Sequence, residues 1–378
     1  MIEVAPHTSP LAEQLRERIK REGPITFHEW MRVALYDEAE GYYRRQHKIW
    51  GREGDYRTSP ERSALFAATF ARYFAALYQQ LGNPRTIALV EIGGGAGDFA
   101  FGVLQTLQNY FPAVFAATRY IFDEISAPAQ AAARQRLAQF ADRTEFELFD
   151  DVTIETAIVF SNELLDAFPV HRVTLIGGAL CEYYVALGSD EPFTWMIGPP
   201  STSELADYLS RHDIRLREGQ VAEVNLEAEA WLAKVAAKLQ RGYLITVDYG
   251  AEAAGLYSST EREQGTLRGF QRHAFVENPL AAPGNIDLTT TINWTAVRSA
   301  GERLGLETLS FARQDQFLIA AGLLDQLELQ SKNLSESARL RLTTAAREMI
   351  LPNGMAASFQ VLVQRKIPAD SPSEASGK

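Results

Sequence analysis

The 378-residue sequence predicts a doubly wound α/β fold, and three features carry that expectation. After Thr86, short apolar runs of the buried-strand type alternate with amphipathic helical segments, as strands and crossover helices of a parallel sheet do. The first of those strands, at 87–92, ends in a glycine-rich turn before a helix. The last strand, at 359–364, alternates apolar and polar residues, as an antiparallel edge or insertion strand of a mostly parallel sheet would.

The first 85 residues read as helices and loops. A helix at 11–21 is stopped by Gly23-Pro24, and a second covers 27–35. An aromatic loop, Tyr36-Asp37-Glu38-Ala39-Glu40-Gly41-Tyr42-Tyr43, leads to a helix at 60–81 with Leu65, Phe66, Phe70, Phe74 and Leu77 on one face. Then come the strand at 87–92, a helix burying Phe99, Val103, Leu104, Leu107 and Phe111, a strand at 119–122 and a helix at 127–140. Strands near 145–149 and at 157–160 follow.

Between 172 and 241 the rhythm breaks into β-rich segments at 172–187 and 193–197 and helices at 203–211 and 225–239, before the sheet resumes at 243–248. The expected organisation is an N-terminal helical extension (1–85), an α/β domain in two pieces (86–171 and 243–366), an inserted α+β subdomain on the substrate side (172–242) and a disordered tail (367–378). No internal repeat is present.

A hydrophobic content of 46% supplies a substantial core, and the 22% of charged residues mix both signs along the chain. The net charge of −11 opposes binding to a phosphate backbone, which argues against a nucleic-acid partner. An acidic cleft would attract a cation such as an arginine side chain. With Cys181 as the single cysteine, no intramolecular disulfide forms; its strand-like surroundings suggest a small core residue rather than a nucleophile. No signal-peptide pattern and no apolar run near the ~20 residues of a membrane-spanning helix are present, so a cytoplasmic protein without membrane insertion is expected. No metal site is expected.

The chemistry is carried by Glu91-Ile92-Gly93-Gly94-Gly95-Ala96-Gly97-Asp98. Glycines at 93, 95 and 97 let the backbone turn tightly and approach a ligand. The dinucleotide pattern G-x-G-x-x-G needs a small residue at 98 and meets Asp98, which disfavours a nicotinamide cofactor. At the end of the second strand, Glu124, preferred over its neighbour Asp123, can accept hydrogen bonds from ribose hydroxyls, or serve as an acid near a helix N-terminus. Asp151, beside Asp150 after the third strand, is a candidate acceptor for an adenine amino group.

The fourth strand ends in Asn162-Glu163-Leu164-Leu165-Asp166-Ala167-Phe168-Pro169, where polar groups point into the crevice of an α/β sheet. A turn there brings Glu163 and Asp166 to one side, giving two carboxylates for a cation; Asp166 as a turn cap is the alternative.

These motifs resemble the MidA-like methyltransferases over nearly the whole chain. The resemblance rests on Gly23-Pro24-Ile25-Thr26-Phe27, Ala34-Leu35-Tyr36-Asp37 with Gly41-Tyr42-Tyr43, Gly54-Asp55-Tyr56-Arg57-Thr58-Ser59-Pro60-Glu61 and the Asn162 to Pro169 segment. Further on, Asp248-Tyr249-Gly250, Gly265-Thr266-Leu267-Arg268, His273 and Asp287-Leu288-Thr289 extend it. It implies a class I methyltransferase (Rossmann-like) fold with S-adenosyl-L-methionine as cofactor, held by Glu91, Gly93, Gly95, Gly97, Glu124, Asp151 and Asn162. It implies methylation of an arginine in a partner protein, a respiratory-complex subunit among the candidates. Glu163, Asp166 and, as a third acid, Asp248 would orient the guanidinium, with Thr58 and His273 on the substrate side. The family loop commonly reads Gly-Pro-Gly-Arg-Gly-Thr; Gly94, Ala96 and Asp98 here keep the backbone cradle and change its side chains. A non-catalytic assembly scaffold and a small-molecule methyltransferase are the competing readings.

Overall fold

A computed structural model describes residues 9–45, 64–189, 191–258, 260–271, 274–332, 334–351 and 358–368. The chain starts with helix Pro10–Glu22, which Ser9 caps by accepting the Ala12 N–H at 3.1 Å and which ends at Gly23, whose φ of 87° suits glycine. Strand β1 (Ile25–Thr26) follows, and the Thr26 hydroxyl accepts the Glu29 N–H at 3.1 Å to open helix Phe27–Tyr36. Helix Ala64–Gln80 buries the expected Leu65, Phe66, Phe70, Phe74 and Leu77.

The next strands are β2 (Ile87–Ile92), β3 (Thr118–Asp123), β4 (Thr144–Phe146) and β5 (Thr156–Asn162). An excursion supplies β6 (His171–Ile176), β7 (Ala179–Leu187), β8 (Phe193–Gly198) and β9 (Val221–Val224), and β10 (Arg241–Ala251) returns. A second excursion supplies β11 (Arg268–Gln271), β12 (Ala274–Val276) and β13 (Asp287–Thr289), followed by β14 (Ile292–Asn293), β15 (Leu306–Arg313) and β16 (Phe359–Lys366).

The main sheet has the order β15-β16-β10-β5-β2-β3-β4, with β14 beside β10. Neighbours from β10 to β4 run parallel, and β16 is antiparallel to both β10 and β15. From β2 the chain winds outward through β3 to β4, then returns to β5 on the other side and continues to β10. That reversal opens a crevice at the carboxyl ends of β2 and β5, where doubly wound sheets bind ligands.

Both faces are covered. Helices Ala64–Gln80 and Asp98–Tyr110 pack on one face with Leu89, Tyr120, Ile158 and Ile245 of the sheet. Helices Leu226–Lys238 and Trp294–Arg303 pack on the other with Val90, Ile121, Val159 and Leu244. The inserted segment expected to reach residue 242 therefore ends near β9: the following helix turns Ala228, Leu232, Val235 and Ala236 onto the central sheet and belongs to the α/β layer.

The excursions form a cap. The β1-β7-β6-β9 sheet, with β8 on β7, takes its β1 strand from the N-terminal extension, so extension and insertion share one sheet. Leu11, Leu15, Trp30 and Met31 of the extension enter one core with Val170, Val185, Leu280, Ile286 and Leu288. Cys181, expected in a core, lies on β7 only half-buried, on a strand where only Glu182 and Val185 are buried. No described helix is long and apolar enough to cross a membrane.

Candidate active site

At the end of β2 the backbone turns through Gly93, Gly95 and Gly97 with φ of 73°, 57° and 82°, values at which a side chain is strained. Gly97 is also the N-cap of helix Asp98–Tyr110, and no side chain caps the first N–H groups of that helix. A Cβ at Gly94 would drive into the Phe122 ring, so that glycine is demanded by packing against β3 rather than by φ. Gly93 and Gly94 donate to the Asp123 carbonyl at 2.9 and 3.1 Å, which ties the loop to the neighbouring strand. A bare, positively curved backbone before a helix is the shape an amino-acid-bearing nucleoside needs, and the residues present fit S-adenosyl-L-methionine in this respect.

Glu124 is bound to the same loop. Its Oε2 accepts the Gly95 N–H at 2.8 Å and its Oε1 the Ser126 N–H at 2.7 Å. Burial pushes its carboxyl up to about 7, against the pull of those two N–H groups. A carboxylate has about four acceptor sites, so Glu124 can clamp the loop and still accept a ribose hydroxyl. Asp123 instead accepts the Phe149 N–H at 3.0 Å and fixes the loop after β4, where Asp151 stands exposed on the Phe149–Asp151 turn. Asp150 pairs with Lys234 at 2.8 Å. Glu91 is buried beneath the loop, bonded to the Tyr120 hydroxyl at 2.8 Å, and desolvation raises its carboxyl to about 8.

On the far side of the crevice, β5 ends at Asn162, whose Nδ2 donates to Glu163 Oε1 at 3.1 Å while its Oδ1 is buried without a partner among the described residues. Glu163 adopts φ 52°, a left-handed conformation costly for a residue with a Cβ, held by its N–H donating to the Val247 carbonyl at 2.9 Å. The chain then forms the single turn Leu165–Ala167. Asp166 is 4% exposed, and its Oδ1 has no hydrogen-bond partner among the described residues. Burial raises its carboxyl to about 6, while the Tyr249 hydroxyl and the Arg268 cation beside it pull the other way.

Asp248 has a different task from the orienting acid expected. Fully buried, it accepts the Leu165 and Asp166 N–H groups at 3.0 and 3.3 Å through Oδ2, and the Tyr249 N–H at 2.8 Å through Oδ1. Burial together with the neighbouring Asp166 and Glu163 drives its carboxyl well above the ordinary range. Its oxygens are occupied in shaping the turn that presents Asp166.

The cap closes this side. The Tyr36 hydroxyl donates to the Ala167 carbonyl at 2.9 Å and the Tyr43 hydroxyl to Asp287 Oδ1 at 2.7 Å, so the aromatic loop lies against both the Asp166 turn and β13. The Arg268 guanidinium lies 4.7 Å from the Tyr249 ring centroid. Glu124 and the glycine loop thus come together on one wall, and Glu163, Asp166 and Asp248 on the other. Tyr36, Tyr43, Tyr249, Arg268 and Asp287 had no assigned role from sequence, although the motifs containing them stood out. Thr58 and His273 lie outside the described residues.

Residues 69–312 match the sequence profile of a family described as S-adenosyl-L-methionine-dependent methyltransferase. A curated relative, the Drosophila melanogaster protein arginine methyltransferase NDUFAF7 homolog, mitochondrial, is 27% identical over 325 residues, 78% of this chain and 70% of its own length. The Homo sapiens protein arginine methyltransferase NDUFAF7, mitochondrial, is 24% identical over 377 residues, covering 93% and 82%. A Burkholderia thailandensis crystal structure with bound S-adenosyl-homocysteine superposes with a TM-score of 0.85 at 29% identity, over 96% of this chain and 95% of that one.

Proposed function

The chain belongs to the S-adenosyl-L-methionine-dependent methyltransferase family, and from that premise we propose that it methylates an arginine side chain of a partner protein. The observation that carries the acceptor assignment is the buried Asp166 carboxyl with an unfilled Oδ1, presented at the end of β5 across from the glycine loop. A buried acid of this kind favours a cation with matching N–H donors. The curated relatives named protein arginine methyltransferases support the same reading.

When bound, S-adenosyl-L-methionine supplies the electrophilic methyl group. What this chain contributes is alignment, because displacement at that carbon requires nucleophile, methyl and sulfur in line. The glycine loop and Glu124 hold one partner, while Asp166, with Glu163 beside it, orients one guanidinium nitrogen of the other. The strained Glu163 backbone and the Asp248 bonds keep both acids in register. An ionised Asp166 stabilises the bound cation and can take up the proton that the attacking nitrogen gives up.

Tritiated S-adenosyl-L-methionine incubated with the purified chain and protein extract of the source cells should label a protein band, and mass spectrometry should locate the methyl group on arginine. Label on lysine, on a carboxylate or in the small-molecule fraction would overturn the acceptor assignment. Absence of any label would favour a scaffold that binds the cofactor without transferring its methyl group.

A further inference from the structure

Arg268 presents an unfilled binding edge. It lies on β11, held opposite Thr289 of β13, at the end of Gly265-Thr266-Leu267-Arg268. The segment before it is anchored: Glu223 Oε2 accepts both the Thr266 N–H at 2.6 Å and the Thr266 hydroxyl at 3.0 Å, and that hydroxyl accepts the Thr291 N–H at 3.1 Å. At Gly265, with φ 81°, any Cβ would collide with the Glu223 carboxylate. The guanidinium itself is stacked over Tyr249.

Yet Nε and Nη2 of Arg268 are buried and have no hydrogen-bond partner among the described residues, and no described ion pair includes it. Those two nitrogens form the side of the guanidinium whose parallel N–H groups grip a carboxylate with two bonds. On two other arginines the same edge is filled. Arg32 uses Nε and Nη2 on Glu29, both at 2.7 Å, and Arg313 uses them on Asp315 at 3.1 and 2.8 Å. Leaving charged donors buried and unpaired is costly, so an anion from outside the chain is the natural occupant.

We propose that the Nε–Nη2 edge of Arg268 is a carboxylate-binding site of the cleft, filled by a ligand that carries a carboxylate next to a cation. The pairing follows from two buried groups without hydrogen-bond partners among the described residues, the Arg268 fork for the carboxylate and Asp166 Oδ1 for the cation, the Arg268 charge acting on Asp166. This rests on the methyltransferase reading above. Two ligands share that chemistry: the amino-acid end of the cofactor, and an arginine acceptor with an acidic neighbour. Arg268 stacks over Tyr249, the neighbour of the Asp248 that shapes the Asp166 turn, which favours the acceptor.

The test compares the full wild-type chain with Arg268→Met and Arg268→Lys, the latter keeping charge and stem but not the planar fork. Calorimetry is run with S-adenosylhomocysteine and with 5′-methylthioadenosine, which has the same nucleoside and no carboxylate. Transfer of tritiated methyl to extract protein is measured at saturating cofactor, and melting temperatures report folding. If the site takes the acceptor's carboxylate, both variants bind both nucleosides like wild type and lose transfer by about tenfold or more. If it takes the cofactor's carboxylate, S-adenosylhomocysteine weakens about tenfold while methylthioadenosine does not change. Either result supports the site and identifies its source. Unchanged nucleoside affinities together with transfer within about threefold of wild type, or with no transfer by any of the three proteins, overturn it. Should Arg268→Met unfold, the Arg268→Lys comparison decides alone; equal weakening of both nucleosides by a folded variant overturns the proposal as well. Failure of the parent reading alone is separable, since it appears as an unlabelled extract with wild-type protein while the Arg268 variants still weaken S-adenosylhomocysteine and not methylthioadenosine.

Discussion

Single atoms decide how the two walls of the crevice work. Gly95 stands at φ 57° with its N–H committed to Glu124, so Gly95→Val both strains the backbone and breaks the clamp. Calorimetry should find no S-adenosylhomocysteine binding, and near wild-type affinity would remove the loop from the cofactor site. Glu124 adds a pH dependence. Its carboxyl is raised to about 7 in the free protein, so its stability contribution is complete below its ordinary range and is lost as pH rises through about 7. Ribose hydroxyls favour the ionised form, so binding releases a proton below that point. Affinity should fall on going from pH 8 to pH 6 in wild type and much less in Glu124→Gln, which should bind about tenfold more weakly at pH 8. Equal pH dependence in both proteins would exclude Glu124 as the titrating acceptor. Across the cleft, Asp166→Asn keeps shape but removes the charge, and should preserve S-adenosylhomocysteine affinity while abolishing arginine methylation. In wild type, transfer should decline below about pH 6 as Asp166 protonates. Transfer by Asp166→Asn at the wild-type rate would shift the role to Glu163.

At the scale of elements, the site is assembled by short connections that hold one another. The turn Leu165–Ala167 is shaped by Asp248 from β10, and the segment leading into β11 is shaped by Glu223 from β9. Thr266→Val should therefore act at a distance. It removes the hydroxyl bonds to Glu223 and from Thr291 and leaves a buried carboxylate short of a donor, at a cost of about 1–3 kcal/mol. A lowered melting temperature together with reduced methyl transfer and intact nucleoside binding is the expected pattern. Unchanged transfer would show that β11 does not depend on this anchor. Glu223 and Thr266 lie 43 residues apart, which is why reading the Gly265 to Arg268 motif along the chain assigned it no mechanical role.

The whole molecule is an α/β engine beneath a cap contributed by three separate stretches of sequence. Leu11, Leu15 and Ile19 are at most 5% exposed and share a core with Trp30, Leu280 and Ile286, so the first helix holds together the layer that carries Tyr36 and Tyr43. Deleting residues 1–24 removes three side chains worth about 1.5–3 kcal/mol each when buried. The thermal midpoint should drop by well over ten degrees or the chain should fail to fold, and hydrophobic dye binding should rise. A truncated chain with the wild-type midpoint would mean that the extension is an independent attachment. The sequence by itself determined what depends on neighbours in the chain: strand and helix alternation, the helix faces, the glycines that only a φ near 60–80° explains, and the acids that close each strand. Sequence patterning also marked the antiparallel final strand, which pairs with β10 as Phe359–Lys366. Tertiary structure alone decided that β1 joins the sheet of the insertion and that helix Leu226–Lys238 belongs to the central layer. It decided equally that Asp248 shapes a turn and that Arg268 stacks on Tyr249. Each of those is a contact between residues far apart in sequence, whose pairing is chosen by burial and charge across the folded core rather than by any local periodicity.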